Sequence, residues 1–396
     1  MISHNVVTEY ISVFVLAFLF VYSITPWVIK LAHKINFVDN PDARKIHKKA
    51  IPLMGGLSVF VGFMALVIYD VVIVSNRAFN IRLIGYLLGG LVIVLVGLID
   101  DKRGMNPLVK LVGQFLACSL FIFTNFGALV WLNIPWFEDL SFPFLLFTNN
   151  IMFNNYLSIP ILYLWMIGLM NATNFLDNMD GMITGISAII ALGFFAFSMI
   201  INPDNSSSAL WLSLMGLLSL SYAGAVLGFL PYNFNPAKIF LGDAGSLFIG
   251  YFISSMGILM ANFASLQFQN KVFYLLPVIL ISYAIFDICF VSITRKRDGR
   301  LVWQGGKDHT THRIKNLLDS VKVTTLLIYA INVIVVILTI IVTIIGRYEL
   351  LLAILAICLV CYFLLGKRLY AVEVEIPANQ LKIKLGDKGV HHPTRR

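Results

Sequence analysis

The stretch Asn171-Ala-Thr-Asn174-Phe-Leu-Asp177-Asn-Met-Asp180-Gly-Met182 sets four polar side chains at intervals of three residues, directly after an apolar run. Residues three apart are neighbours along a helix, but the ridge they form winds round the helix by about 60° per step. The four side chains therefore face one cavity only if other helices enclose it, or if the helix breaks near Asn178. We expect such an enclosure.

Composition places this stretch in a membrane. Hydrophobic residues make up 59% of the chain, charged residues only 12%, and the mean hydropathy is +0.86. A helix that crosses a bilayer needs about 17 to 25 mostly apolar residues. Runs of suitable length lie at Tyr10–Leu31, Pro52–Val74, Leu83–Ile99, Leu108–Leu132, Ile159–Phe175, Met182–Ile201, Ala209–Leu230, Ser246–Phe263, Val272–Ile293, Val323–Ile345 and Leu350–Leu365. We predict an all-α polytopic membrane protein with about eleven transmembrane helices in residues 1–366.

Lysine and arginine indicate the orientation, because basic residues collect in cytoplasmic loops. They are dense after the first, third and ninth predicted spans and sparse in the opposite loops. This pattern places the N-terminus outside and the C-terminus in the cytoplasm. Residues 133–158 then form a small external hairpin at the membrane interface. The alternating pattern within the cytoplasmic tail, residues 367–396, predicts a small β-hairpin.

The net charge of +9 does not indicate nucleic-acid binding. Cytoplasmic loops that follow the positive-inside rule, and contact with anionic lipid, need the same basic residues. We therefore predict a membrane partner and no nucleic-acid partner.

Carboxylates gather at the predicted cytoplasmic border. Asp100 and Asp101 end the third span, and Lys110 begins the fourth. Adjacent aspartates repel each other unless a cation or proton lies between them, although a solvated helix end is an equal alternative. Asp243 lies between two glycines, where its carboxylate could bind a metal or simply cap a helix.

Basic and histidine side chains lie on the same predicted side. Lys45 and His47 in the first loop could bind phosphate, although a plain positive-inside loop explains any single lysine better. His309 and His312, in a histidine loop at residues 295–322, lack the further ligands of a zinc site, so we expect phosphate or sugar binding. Asp287 is a functional candidate because acids within membrane spans are rare.

Magnesium prefers oxygen ligands and commonly shares them with substrate phosphates, so this inventory favours a diphosphate substrate over a zinc hydrolase. From about Phe37 to Leu317 the chain resembles the polyprenyl-phosphate N-acetylhexosamine-1-phosphate transferases of glycosyltransferase family 4. Five ordered motifs carry the resemblance: Asp39-x-Pro41 with Arg44-Lys45-x-His47, Pro52-x-x-Gly55-Gly56, Asp100-Asp101, Asn171-x-x-Asn174-x-x-Asp177-x-x-Asp180-Gly181, and Gly242-Asp243-x-Gly245-Ser246.

The resemblance implies transfer of a sugar 1-phosphate from a UDP-N-acetylhexosamine to undecaprenyl phosphate, with release of UMP. It implies Mg²⁺ as the cofactor, with Mn²⁺ as a possible substitute, bound by Asp243 and Asn174. Asp100, Asp101 and Asp243 would be catalytic, with Asp100 deprotonating or orienting the lipid phosphate. Whether Asp100 acts as a base or forms a phosphoenzyme is open.

The resemblance also implies substrate contacts. Phe240 would stack on uracil, Asp180 would hydrogen-bond it, and Lys110 would neutralise the diphosphate. The full expected set is Lys45, His47, Lys110, Asp177, Asp180, Phe240, His309, His312 and Arg313. The active site would face the cytoplasm from the inner (plasma) membrane, and the protein could form a homodimer.

Two alternatives remain. The histidine loop, Asp308-His-Thr-Thr-His312, departs from the denser histidine cluster of the muramyl-pentapeptide branch of the family. The first loop fits better with the N-acetylglucosamine branch, which starts enterobacterial antigen, O-antigen or teichoic acid assembly. The muramyl-pentapeptide branch is the runner-up. An ion-coupled transporter would place polar residues through the full depth of the membrane, whereas here they cluster at one edge.

Overall fold

The computed structural model describes residues 4–40, 50–74, 81–129, 158–201, 206–301 and 306–374. The predicted external hairpin, Lys45, His47 and nearly all of the predicted β-hairpin in the tail lie outside these residues.

Helices account for almost all of the described chain. In order, the elements are α1 (His4–Lys34), β1 (Val38–Asp39), β2 (Ile51–Pro52), α2 (Gly55–Tyr69) continued by a π-helical turn (Asp70–Val74), α3 (Ile81–Arg103), α4 (Pro107–Leu129), α5 (Ser158–Leu176), α6 (Met182–Ile200), α7 (Ser206–Asn233), α8 (Gly242–Gln267), a 3-10 turn (Lys271–Leu275), α9 (Leu276–Leu280), α10 (Ser282–Arg297), α11 (Thr310–Leu318), α12 (Val321–Ile345) and α13 (Tyr348–Tyr370).

Ten of the described helices are long and apolar enough to cross a membrane, and a bent helix pair raises the count to eleven if it is one span. Each predicted apolar run corresponds to one of these elements, so the all-α multi-pass fold is confirmed. The outer helices keep large apolar side chains exposed, as lipid contact requires; Phe363 on α13, for example, is 64% exposed.

The ninth predicted span is not one straight helix. Lys271–Leu280 and Ser282–Arg297 meet at an angle of 76°. Ile281 between them leaves helical geometry, with φ −107° and ψ 14°. The bend sets the direction of α10, which carries Asp287 and leads into the histidine loop.

The N-terminal end of α8 is enclosed by close backbone contacts. A side chain at Gly56 on α2 would overlap the backbone of Gly245, and one at Gly97 on α3 would overlap that of Ala244. Only glycine permits such an approach, because it has no Cβ. The motif that ends at Gly56 and the segment that leads from Gly97 to Asp100-Asp101 are thereby brought close to Asp243.

A short strand pair positions the first loop next to the N-terminal end of α8. Val38 pairs with Pro52 and Asp39 with Ile51 in the antiparallel β1–β2 pair. The carbonyl of Pro52 accepts a hydrogen bond from the Phe240 amide at 2.8 Å, and the carbonyl of Phe240 accepts one from Gly55 at 3.0 Å. These main-chain bonds position Phe240 three residues before Asp243.

Candidate active site

The stretch with four polar residues is a break between two helices. The helix α5 ends at Leu176, and α6 begins at Met182 after Gly181, whose φ is +73°. The amide oxygen of Asn178 accepts a hydrogen bond from the Thr311 hydroxyl at 2.7 Å, and the Tyr329 hydroxyl donates to the Gly181 carbonyl. The break near Asn178 is therefore held by the histidine loop and by α12.

The first and last of the four polar side chains point to separate partners. Asn171 and Gln114 on α4 exchange amide hydrogen bonds of 3.0 and 3.3 Å. Asp180 accepts hydrogen bonds from the Asn235 side chain at 2.8 Å and the Ala237 amide at 3.0 Å. Asn171 and Asp180 therefore have partners in different segments of the chain, and a cavity shared by all four side chains stays a prediction. The predicted contact of Asp180 with uracil stays a prediction.

Asn174 contacts Asp243, the acid with which it is expected to bind Mg²⁺. Its amide nitrogen donates to Asp243 Oδ1 at 2.7 Å and to the Ser246 hydroxyl at 2.9 Å. The two predicted metal ligands are therefore in direct contact.

Lys110 lies at the centre of the carboxylates. Its Nζ is 2.9 Å from Asp100 Oδ2 and 2.5 Å from Asp243 Oδ2. The other oxygen of Asp100 accepts from the Met105 amide at 2.6 Å. The lysine side chain is only 17% exposed, so little water separates the cation from the two acids. Residues from α3, α4 and α8 thus form one charged cluster.

Asp101 has a different environment from its neighbour. Its two oxygens accept hydrogen bonds from the amides of Asp243 at 2.9 Å and Ala244 at 3.2 Å, in the first turn of α8. The first amides of a helix lack partners within the helix, and an acid there is favoured by the helix dipole. Asp101 therefore caps α8 from a neighbouring helix and holds Asp243 in place.

Asp177, which lies between two membrane spans, is surrounded by other negative charges. Burial, followed by the negative charges of Asp243, Asp101 and Asp180, raises the pKa of the Asp177 carboxyl from 3.8 to about 8. One lysine does not neutralise so many acids, so the cluster favours a further cation.

The donor set fits a magnesium ion that completes its shell with substrate. Within the described residues, no three histidine, cysteine or acidic side chains form a ready-made metal cage. Mg²⁺ is commonly held by one or two carboxylates together with substrate phosphates and water. The Asp243 carboxylate and the Asn174 amide oxygen, the two expected ligands, are oxygen donors of the right type, and the Asp177 carboxylate is close enough to interact electrostatically with Asp243.

The histidine loop is anchored by buried charges. Asp308 binds Arg295 at 2.6 and 2.9 Å and Arg300 at 2.8 Å, and all three side chains are buried. Burial by itself raises the pKa of Asp308, but the hydrogen bonds and charge of Arg295 and the charge of Arg300 lower it to about 2. The order of this loop therefore rests on an ion-pair triad.

The two histidines lie at the start of α11. His309 is buried and its Nδ1 is 2.8 Å from Asp287 Oδ2. The ring of His309 is 6.2 Å from that of Phe175 and 6.5 Å from that of His312, between ring centres. Burial is the main cause that lowers the pKa of His312 to about 4, so His312 is neutral near pH 7.

Arg313 contacts the end of α13. Its guanidinium donates to the carbonyls of Leu369 at 3.0 Å and Val372 at 2.7 Å, and to that of Asp308 at 3.2 Å. These bonds satisfy carbonyls at the end of α13 that lack partners within the helix. They account for the burial of Arg313 without a ligand, and its predicted contact with phosphate or sugar stays a prediction.

Three contributors have no role in the sequence analysis. Gln114 follows Lys110 by one helical turn, a spacing that could have indicated it. Ser246 belongs to the motif Gly242-Asp243-x-Gly245-Ser246, and its hydroxyl accepts a hydrogen bond from the Asn174 amide. Arg295 is one of several basic residues that follow the ninth predicted span, and no local pattern marks it as the buried partner of Asp308.

Comparison with known proteins finds a match to the model of glycosyl transferase family 4 at residues 83–261. A probable undecaprenyl-phosphate N-acetylglucosaminyl 1-phosphate transferase of Bacillus subtilis is 34% identical over 319 residues, which is 81% of each chain. A decaprenyl-phosphate N-acetylglucosaminephosphotransferase of Mycobacterium tuberculosis is 31% identical, over 78% of this chain and 76% of that protein. A phospho-N-acetylmuramoyl-pentapeptide-transferase of Prochlorococcus marinus is 28% identical, over 78% of this chain and 84% of that protein.

Proposed function

The chain belongs to glycosyl transferase family 4, and from this premise we propose that it transfers N-acetylglucosamine 1-phosphate from a UDP-sugar to a polyprenyl phosphate and releases UMP. The observation that carries the proposal is the cluster of Lys110 with Asp100 and Asp243 at the ends of α3, α4 and α8. At this membrane edge, a lipid phosphate and a water-soluble nucleotide can meet.

The reaction exchanges one phosphoanhydride bond for another. An oxygen of the lipid phosphate forms a bond to the sugar-bearing phosphorus of the UDP-sugar, and the bond from that phosphorus to the bridging oxygen breaks. The bridging oxygen leaves with UMP. Such transfers depend mainly on positioning and on neutralising charge, and they need no covalent bond to the protein.

The cluster suits these tasks. Asp100 would orient the acceptor phosphate or take its proton, while Lys110, placed between two acids, would pair with phosphate oxygens. Mg²⁺ held by Asp243 with Asn174 would neutralise the diphosphate and stabilise the leaving UMP. Phe240, fixed by its main-chain bonds beside this cluster, would stack on uracil.

The acceptor tail would stay in the lipid. Lys110 lies on α4, and its neighbours on the outer face of that helix, Leu111 and Phe115, are 43% and 51% exposed. A polyprenyl chain lying along this apolar face would bring its phosphate to Lys110. We propose undecaprenyl phosphate as the acceptor, in keeping with the name of the Bacillus relative.

The direct test incubates the purified full-length protein with undecaprenyl phosphate, Mg²⁺ and a panel of UDP-sugars, and measures UMP. We expect UMP only with both substrates, loss of activity with a chelator, and recovery with Mg²⁺ or Mn²⁺. UDP-N-acetylglucosamine should be the best donor. Preferred use of the UDP-muramyl-pentapeptide would support the runner-up instead, and no UMP from any donor would refute the proposed activity.

The positive-inside pattern supports a cytoplasmic site in the inner (plasma) membrane. Single cysteines at Lys48 and Ser206 test this orientation in intact cells with a thiol reagent that does not cross the membrane. We expect labelling at position 206 alone. Labelling at position 48 alone would show that the topology is the reverse of the one proposed.

A further inference from the structure

Asp287 is a buried acid in α10 that the proposed mechanism does not use. Its side chain is 1% exposed, yet three donors converge on its two oxygens. The Oδ2 atom is 2.8 Å from His309 Nδ1, and Oδ1 accepts from the Thr310 amide at 2.9 Å and the Thr310 hydroxyl at 2.5 Å. A carboxylate with this many donors is held in one orientation.

These contacts define the state of the His309 ring. Asp287 already receives two hydrogen bonds from Thr310, so an ionised carboxylate accepts the third from His309, and the proton lies on Nδ1. The second nitrogen, Nε2, lies across the ring from Asp287. A histidine whose other nitrogen is fixed by a carboxylate has a defined tautomer and orientation.

His309 packs against the end of α5, the helix that carries Asn174. Its ring contacts that of Phe175 edge-on, and Phe175 directly follows Asn174, which binds Asp243. The ring is 4% exposed, so its rotation is restricted by packing as well as by Asp287.

A purely structural role for Asp287 would be to fasten the histidine loop to α10. That task is already performed by other contacts. Asp308 ties the loop to Arg295 and Arg300, and Arg313 ties α11 to the end of α13. The contact with His309 does something these bonds do not, because it selects which nitrogen is free.

We propose that Asp287 is a positioning residue that fixes the tautomer and orientation of His309, so that Nε2 faces the sugar diphosphate of the donor. The inference rests on the proposed transferase function. It assigns to Asp287 the task that a buried aspartate performs for the histidine of a serine protease, where the matching Asp-to-Asn change leaves the geometry intact.

The test compares four variants in the UMP assay. Asp287→Asn keeps an oxygen for the Thr310 donors but presents an amide N–H to Nδ1, which moves the ring proton to Nε2. We expect kcat to fall at least about 100-fold, with KM for the UDP-sugar within about fivefold. UMP binding, measured by calorimetry, should stay within about threefold of wild type and shows that the nucleotide site is folded.

His309→Asn keeps a donor for Asp287 and removes Nε2, so it should lose as much kcat. The double variant Asp287→Asn with His309→Asn should be no slower than His309→Asn alone, because both changes remove one function. Thr310→Val is the matched control: it deletes a donor to the same carboxylate but leaves the Asp287–His309 contact, and should keep kcat within about fivefold.

If the wild-type protein is active, any of three results would overturn the inference. Asp287→Asn could keep a kcat near that of wild type, the losses in the double variant could multiply, or Thr310→Val could be as slow as Asp287→Asn. Loss of UMP binding in Asp287→Asn would also refute it, since Asp287 would then hold up the site as a whole. Wild-type protein that released no UMP would refute the proposed function itself.

Discussion

Asp243→Asn is the sharpest perturbation of the candidate site. The Asp243 carboxylate accepts from Lys110 Nζ at 2.5 Å through one oxygen and from the Asn174 amide at 2.7 Å through the other. Asparagine has one acceptor oxygen and one donor nitrogen in the same shape. Whichever way its amide turns, an N–H group faces a donor, so one of the two hydrogen bonds is lost.

The size of the effect follows from these contacts. A hydrogen bond to a charged group contributes about 1.5–3 kcal/mol, which corresponds to roughly 10- to 150-fold in rate. The variant also loses the negative charge that would hold Mg²⁺. We therefore expect kcat/KM at saturating Mg²⁺ to fall by at least about 100-fold. The Asp243 side chain is 32% exposed, so water can satisfy the freed donor and folding should change little.

The assay measures UMP release across a Mg²⁺ titration, with thermal unfolding in detergent as the folding check. Ser246→Ala is the matched control, because it removes the other acceptor of the same Asn174 amide without changing charge. We expect this control to keep activity within about tenfold. Transfer by Asp243→Asn within a few fold of wild type, with the same Mg²⁺ dependence, would falsify the metal assignment.

Three further predictions address the surroundings of the cluster. Asp101→Ala removes the cap of α8 and should lower the free energy of unfolding by about 0.5–2 kcal/mol in denaturant titrations; unchanged stability would contradict the capping role. The pKa of Asp177 is raised from 3.8 to about 8, so the folded state binds more protons than the unfolded state across that window, and stability falls as pH rises through it. Without divalent cations, Asp177→Asn should therefore raise the melting temperature more at about pH 9 than at about pH 5, and equal shifts would contradict this reasoning. Arg313→Lys keeps the charge but loses the fork that binds the carbonyls at the end of α13, so it should lower the melting temperature and leave KM for the UDP-sugar unchanged; a tenfold or larger rise in KM would restore the predicted phosphate contact.

The membrane architecture can be predicted from the amino-acid sequence alone. A span in lipid must be a long apolar helix that satisfies its own backbone hydrogen bonds, and that requirement is local enough to be read from one segment at a time. Every predicted run became a helix or the bent pair. The Gly55-Gly56 pair permits a close contact between helices, since glycine has no Cβ, and Gly56 meets Gly245.

The partners of the polar residues were decided only by tertiary structure. Asp100 and Asp101 are adjacent in sequence, yet one binds Lys110 and the other caps α8. Arg295 looks like any basic residue of a cytoplasmic loop, but it is buried against Asp308.

The physical reason is that no local pattern encodes which residues of distant segments meet. The contact of Lys110 with Asp243 spans 133 positions of the chain, and that of Asp287 with His309 depends on the 76° bend before α10. Such contacts arise from the rotation and crossing of packed helices, which the apolar pattern of each helix leaves undetermined.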